Sequence, residues 1–300
     1  MKLTIKILGV LFVITSLVSC DNSDDLKYNP SVEKGWVQFL EDSPAVVGVF
    51  QGANAELKLD VNIQVPTTSS DLTINYDMVS VSGANPSSVF SNNGKTIAPA
   101  GSTSHAGPDN GTGFDYAYLA EIDFDLSELE GTVLTEPMVF DVVLTGTSSS
   151  LISAGISEVP AYPTSRRIVI YPSLDGFVGT YTVTEGFIAG PNAPFGLGDF
   201  FGESYQVELA RMPGDDTASK FVITNSAGFD VYFIEGTELT FGLDGGLSFY
   251  DGNSEDGFPV VALFNIFEFE SSSFDYGLNE LTATGPLSTY GDYQFVLTKQ

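Results

Sequence analysis

Cysteine, histidine and basic residues are scarce in this sequence, and each scarcity excludes a class of chemistry. The 300-residue chain has one cysteine and one histidine, and its 11 lysines and arginines face 39 aspartates and glutamates. No intramolecular disulfide can form, so the fold must depend on its hydrophobic core. A zinc site with several histidine or cysteine ligands is excluded. The net charge of −28 excludes nucleic acid as a partner, because such a surface repels polyanions.

The sequence opens with a short apolar run. Lys2 and Lys6 precede an apolar stretch at residues 7–18, which is shorter than the roughly 20 residues of a membrane-spanning helix. We therefore predict a signal peptide over residues 1–19. Leu17-Val18-Ser19-Cys20 resembles the bacterial lipobox, and this resemblance implies that Cys20 carries a lipid anchor. The alternative is a plain signal peptide in which Cys20 is incidental.

An acidic stretch follows the cysteine. Asp21-Asn22-Ser23-Asp24-Asp25 resembles the tether of surface-exposed lipoproteins of the Bacteroidetes group. The resemblance implies a lipidated flexible tether over residues 20–34 and an outer-membrane protein exposed at the cell surface. The alternative is a flexible spacer that carries no signal for localisation.

Alternation of apolar and polar residues dominates the rest of the chain. In residues 55–65 every odd position is apolar and every even position polar, which predicts a strand with one face on a core. Ten shorter runs share this pattern: 72–78, 138–144, 167–170, 181–184, 205–209, 221–224, 231–234, 239–243, 260–269 and 293–297. Only residues 127–130 favour a single helical turn. Short strands separated by Gly, Asp, Asn and Ser predict an all-β protein of sandwich or barrel type.

Length and punctuation predict two domains after the tether. Residues 171–176, Tyr-Pro-Ser-Leu-Asp-Gly, are the predicted joint. Trp36-Val37-Gln38-Phe39, the long alternating strand and the strand from Met138 to Leu144 resemble, in this order, an immunoglobulin-like sandwich of the Calx-β kind over residues 35–172. Residues 174–300 resemble a lipocalin-like antiparallel meander, either a barrel or a half-barrel. Leu243-Asp244-Gly245-Gly246-Leu247 predicts a tight hairpin.

Residues suited to catalysis are few, and we predict that the protein is not an enzyme. A nucleophilic triad needs a base beside the nucleophile, and His105 lies in a stretch whose composition indicates a solvated loop. Glycoside hydrolysis asks only for two carboxyl groups. Glu268 and Glu270 share one face of a predicted strand, an arrangement that solvation explains equally well.

Oxygen-rich loops are candidates for calcium, which takes six to eight oxygen ligands. Asp109 and Asp115 lie close together in the sequence and form the candidate site. Residues 251–257 do not fit the EF-hand spacing. Turn formation is the alternative explanation for both loops.

Aromatic residues provide the remaining candidates for ligand binding. Trp36, the only tryptophan, could stack on a sugar, although core packing is the favoured reading. Phe195, Phe200 and Phe201 lie in a glycine-rich loop that forms either a buried flap or an exposed apolar patch.

These observations predict a non-catalytic lipoprotein of the cell envelope with a binding or display role, its concrete form being glycan capture in polysaccharide uptake. The predicted partners are the membrane, through the lipid anchor, and a glycan or a surface protein. Two alternatives remain: an enzyme that acts on glycans through two carboxyl groups, and a lipocalin-type carrier of a small apolar ligand.

Overall fold

The structure is a computed structural model of the chain. It describes residues 35–40, 43–54, 56–64, 70–100, 107–109, 113–115, 119–156, 163–191, 193, 205–225, 235–250, 271–286 and 291–300, with only the backbone at 107–109, 113–115, 119 and 250. Cys20 and the predicted signal peptide and tether lie outside these ranges. No helix within the described ranges has the length and hydropathy needed to cross a membrane.

The first part of the chain is a sandwich of two β-sheets. One sheet has the strand order β10-β1-β3-β8 and the other β2-β11-β9-β4-β5. Their bounds are β1 Gly35–Phe39, β2 Val46–Phe50, β3 Leu57–Gln64, β4 Leu72–Ser82, β5 Lys95–Ala98, β8 Leu119–Phe124, β9 Met138–Thr147, β10 Ile152–Ala154 and β11 Ser165–Tyr171. Between β5 and β8, strands β6 (Gly107–Asp109) and β7 (Gly113–Asp115) form a separate hairpin.

The sandwich core follows directly from the alternation in the sequence. Leu57, Leu59, Val61 and Ile63 of β3 are all buried, because period-two spacing places them on one face of the strand. Rings from both sheets meet in the middle: Phe124 of β8 lies 5.6 Å from Phe140 of β9, centroid to centroid. Burial of these side chains on facing sheets is the main stabilising contribution.

The second part is an antiparallel meander that forms a nearly closed barrel. Its eight strands follow the order β16-β15-β14-β13-β12-β19-β18-β17. Their bounds are β12 Gly179–Phe187, β13 Tyr205–Arg211, β14 Lys220–Asn225, β15 Glu238–Phe241, β16 Leu247–Tyr250, β17 Ser271–Asp275, β18 Glu280–Pro286 and β19 Asp292–Lys299.

The edges β16 and β17 meet at a short seam. The Phe274 amide donates to the Gly245 carbonyl at 3.3 Å, and the Leu247 amide donates to the Ser272 hydroxyl at 3.2 Å. The same hydroxyl donates to the Leu247 carbonyl. These bonds satisfy edge groups that an open sheet would expose.

Aromatic side chains occupy the barrel interior. Its largest fully buried side chains are Tyr181, Tyr293, Phe177, Phe221, Phe241, Phe249 and Phe295. Interior positions of a small barrel can be filled in this way or can enclose a ligand cavity. The part of the interior that the structure describes is of the filled kind.

The predicted joint is packed into the barrel. After β11, Leu174–Phe177 form a 3-10 turn whose N-cap, Ser173, accepts a hydrogen bond from the Asp175 amide. Leu174 and Phe177 are buried, and the Phe177 ring packs edge-on against the Phe274 ring at 5.7 Å. The Tyr181 hydroxyl donates to the Phe177 carbonyl at 2.8 Å, and burial raises the pKa of this phenol.

The all-β prediction is confirmed, with a sandwich followed by an antiparallel meander. The predicted helical turn at 127–130 is a 3-10 turn at Leu126–Leu129. The predicted hairpin at 243–247 joins β15 to β16, with Gly245 at φ +86°, where a side chain would be strained. The predicted strands at 231–234 and 260–269, with Glu268 and Glu270, lie outside the described residues.

Candidate functional site

A cleft of about 860 Å³ lies at one end of the sandwich, beside the joint to the barrel. Four segments line it: the loop after β2, the first residues of β3, the end of β8 with its 3-10 turn, and the joint. Its lining side chains include Gln51, Asn54, Glu56, Lys58, Asp123, Asp125, Ser127, Glu130, Thr132, Ser173 and Asp175. We call this concavity the cleft and these side chains the cleft residues.

Apolar residues of the sandwich core form the base of the cleft. Leu57, Phe124 and Leu129 line the cleft and are buried in the sandwich core. At the rim, Val133 is 85% exposed. The cleft therefore combines an apolar base and one exposed apolar rim residue with polar walls, and it is more polar than the typical small-molecule site, whose lining is mostly apolar.

Gln51 links two of the segments that line the cleft. Its side-chain amide donates to the carbonyl oxygens of Leu129 at 3.1 Å and Thr132 at 2.6 Å. The loop after β2 is thereby tied to the loop after β8, which is distant in sequence. The Leu129 carbonyl also accepts from the Thr132 amide at 3.0 Å, so Gln51 adds a second bond at Leu129 and one at Thr132.

Two cleft carboxylates already have partners in the protein. Asp125 caps the 3-10 turn by accepting from the Ser127 amide at 2.9 Å. Hydrogen bonding with Ser127 lowers the pKa of Asp125. Asp175 accepts from Arg211 of β13 at 2.8 and 3.1 Å, and hydrogen bonding to this guanidinium lowers the pKa of Asp175.

Lys58, the one lysine among the described residues that line the cleft, is also engaged. The Lys58 ammonium lies 2.8 Å from a Glu56 carboxylate oxygen and 3.3 Å from one of Glu121. Hydrogen bonding to Glu56, and then to Glu121, raises the pKa of Lys58. Among the described residues, no hydrogen bond or ion pair engages the carboxylates of Asp123 and Glu130, and both residues are exposed.

The cleft is connected to the barrel through backbone and side chain. The backbone amide of Asn54 donates to the backbone carbonyl of Asp216 at 2.9 Å. Asp216 belongs to the β13–β14 turn, in which Asp215 accepts from the amides of Ser219 and Lys220 at 2.8 and 2.7 Å. A well-bonded turn of the barrel thus holds one edge of the cleft.

Trp36 lies outside the cleft, on β1. It is half-buried on the strand face opposite Val37 and Phe39, so the expected place in the core is wrong for its side chain. Its ring nitrogen donates to the Gln38 amide oxygen at 2.6 Å. Gln38 pairs in register with Asn62, and both are buried amides on the outer face of this sheet.

The other predicted site residues lie in the β6–β7 hairpin or outside the described residues. Asp109 pairs with Gly113 and Asp115 with Gly107 in the β6–β7 hairpin, where only the backbone is described, so the calcium site stays a prediction. Cys20, His105, Phe195, Phe200 and Phe201 lie outside the described residues. Within the described ranges, no three or more His, Cys, Asp or Glu side chains form a group that could hold a metal ion.

None of the site residues predicted from the sequence lines the cleft in the described part of the chain. Gln51, Asp125 and Asp175 come from three separate segments, so no local motif contains the site. One local signal was present: Asp125 lies directly before the observed 3-10 turn at Leu126–Leu129, at the N-cap position, where aspartate is favoured.

No protein-family model and no curated protein matches the chain.

Proposed function

We propose that this protein is a lipid-anchored, non-catalytic binding protein of the cell envelope that captures a glycan through the cleft. The observation that carries the proposal is the cleft itself, a polar-walled concavity of about 860 Å³. Ligand sites typically occupy about 300–1,000 Å³. The lipobox resemblance at Cys20 and the acidic tether support a place on the outer membrane, exposed at the cell surface, with a role in polysaccharide uptake.

The polar groups of the cleft suit the hydroxyl groups of a sugar. Asn54 offers an amide, which both donates and accepts, and Asp123 and Glu130 offer acceptor oxygens. All three residues are exposed, so a ligand reaches them without unfolding the site. Val133 adds an exposed apolar contact at the rim.

Binding is favoured over catalysis by the state of the cleft carboxylates. A glycosidase needs a general acid whose pKa is raised, beside a second carboxyl group. Asp125 and Asp175 both have lowered pKa values, owing to Ser127 and Arg211 respectively. They are committed to structural bonds and are poor proton donors near neutral pH.

The aromatic filling of the barrel interior, in the part that the structure describes, favours surface capture over carriage of an apolar ligand. Tyr181, Phe241 and Phe295 occupy interior space that a carrier would leave open. The Phe177 ring, 5.0 Å from Phe241, adds to this packing from the joint.

A glycan-array assay tests the proposal. Every described strand lies between residues 35 and 299, so soluble protein from Asp21 to Gln300 retains the described fold. We expect saturable binding that is lost in the double variant Asn54→Ala, Glu130→Ala. Asp77→Ala, an exposed carboxylate on β4 outside the cleft, is the control and should bind normally.

Two other results would contradict the proposal in different ways. Loss of binding in Trp36→Ala, with the cleft variant unaffected, would move the site to the outer face of β1. A blank array with folded protein would contradict glycan capture and favour a protein partner.

A further inference from the structure

The charges around the cleft are strongly one-sided. Its lining contains five carboxylates, from Glu56, Asp123, Asp125, Glu130 and Asp175, and one ammonium, from Lys58. At physiological ionic strength, charges interact across about 8 Å. A group bound in the cleft therefore lies within the field of several carboxylates at once.

Lys58 and Arg211, the cations that the described residues place at the cleft, are already bound and cannot serve an incoming anion. The Lys58 ammonium is shared between Glu56 and Glu121. The Arg211 guanidinium donates to Asp175 and, at 2.6 Å, to the Ala218 carbonyl, and it stacks over the Phe221 ring at 4.6 Å. An anionic ligand would have to break these bonds or remain unpaired, and either outcome weakens binding.

The charged groups left for a ligand are acceptors. The carboxylates of Asp123 and Glu130 accept hydrogen bonds and donate none. A ligand that complements them must therefore present donors, and unpaired acceptors facing an acidic ligand would act as a rejecting element.

We infer that the cleft selects saccharides that carry hydroxyl or amino donors and no acidic groups, and that it rejects chains bearing uronate or sulfate. This inference rests on the proposed function, because it names the ligand class of the same site. Amino sugars gain an additional ion pair with Asp123 or Glu130. Exposed ion pairs contribute modestly, so the amino advantage is expected to be about twofold to fivefold.

Calorimetric titration with three matched oligosaccharides tests the inference. The probes are a neutral β-glucan oligosaccharide, a chitosan oligosaccharide and an oligogalacturonate of equal length, each titrated into the soluble chain at low and at high salt. We expect the first two to bind, chitosan more tightly at low salt and equally at high salt, because salt screens the ion pair. Oligogalacturonate should give no saturable heat.

A charge-neutralising double variant separates selectivity from folding. Asp123→Asn, Glu130→Gln preserves the shape of both side chains and should remove the chitosan advantage, so that chitosan and neutral β-glucan oligosaccharides bind this variant with equal affinity at low salt. Asp77→Asn, Glu208→Gln makes the same charge change outside the cleft, at exposed residues of β4 and β13. This control should keep the chitosan advantage.

The outcomes distinguish the two proposals. Oligogalacturonate binding as tight as that of the neutral glycan would overturn the inference and leave glycan capture intact. An unchanged chitosan advantage in the cleft variant, or its loss in the control, would also overturn the inference. If none of the three probes binds folded protein, both the inference and the capture of these glycans fail.

Discussion

The ring of Phe177 lies 5.0 Å from the ring of Phe241, centroid to centroid, which places a residue of the joint against the aromatic interior of the barrel. Phe177 also contacts Phe274 and Tyr276 at 5.7 and 5.8 Å. The connection between sandwich and barrel is therefore part of the barrel core. A flexible linker would leave such a side chain in solvent.

We expect Phe177→Ala to lower the free energy of unfolding by about 3–5 kcal/mol, since it removes a buried ring and leaves a cavity. Urea denaturation measures this change. Val178→Ala changes the adjacent residue, which is 39% exposed. It should change the free energy of unfolding by less than about 0.5 kcal/mol, as surface substitutions usually do. Equal costs for the two variants would show that Phe177 does not anchor the joint.

A surface ion pair predicts part of the dependence of stability on pH. Arg167 donates to both carboxylate oxygens of Asp141 at 2.8 and 3.0 Å, and this hydrogen bonding lowers the pKa of Asp141 below its usual 3.8. The pair therefore stabilises the fold above about pH 4 and is lost as pH falls through the lowered pKa.

We expect Asp141→Asn to lower the free energy of unfolding at pH 7 by about 0.2–1 kcal/mol, the usual range for exposed pairs. The difference from wild type should shrink toward pH 2 in urea titrations. Asp77→Asn on β4 serves as the control for charge alone. A difference from wild type that grows on acidification would contradict this account.

Two glycines with positive φ should respond differently to alanine. At Gly291, φ is +128° and an added methyl group would overlap the Ala189 carbonyl. At Gly52, φ is +93° and no atom lies within 4 Å of the added carbon. Gly291→Ala should therefore be more destabilising than Gly52→Ala by about 1–3 kcal/mol. Thermal or urea unfolding measures the loss of stability in both variants. Similar losses would show that the positive φ alone, and not the overlap with the Ala189 carbonyl, sets the cost.

The lipobox prediction can be tested in cells. Cys20→Ser removes the thiol that acylation requires, so the variant should lose incorporation of a labelled fatty acid and should leave the membrane fraction. Wild-type protein carried through the same labelling is the positive control. Retained label in the variant would contradict a lipid anchor at Cys20.

Regular alternation made much of the fold predictable, and its absence explains what was missed. β3 and β9 bury every second residue, so their patterns stand out in the sequence. β2, Val-Val-Gly-Val-Phe, has no polar alternation, and β17 is mostly serine. β18 buries Leu281, Ala283 and Gly285 on one face. Because two of these three residues are small, the apolar alternation in the sequence is weak.

The candidate site was less predictable than the fold, because it depends on contacts between distant segments. Gln51 reaches Leu129 and Thr132, and neither end of this bridge has a distinctive local sequence. Trp36 was visible as a lone tryptophan, but its half-buried place on β1 depends on which face of that strand meets the second sheet. The division into domains at residues 172–174 stays a prediction, although β11 ends and β12 begins on either side of it.

The parallel pairing of β2 with β11, in register from Val46 beside Arg167 to Phe50 beside Tyr171, has a consequence for folding kinetics. β2, near the start of the sandwich, can pair only after β11, its last strand, has formed. The chain between the two strands, which is most of the sandwich, must therefore close as a loop before this contact is made. Such high contact order slows folding, and a nascent chain cannot complete the sandwich until Tyr171 has been synthesised. The meander, whose neighbouring strands mostly follow one another along the chain, can begin to pair hairpin by hairpin.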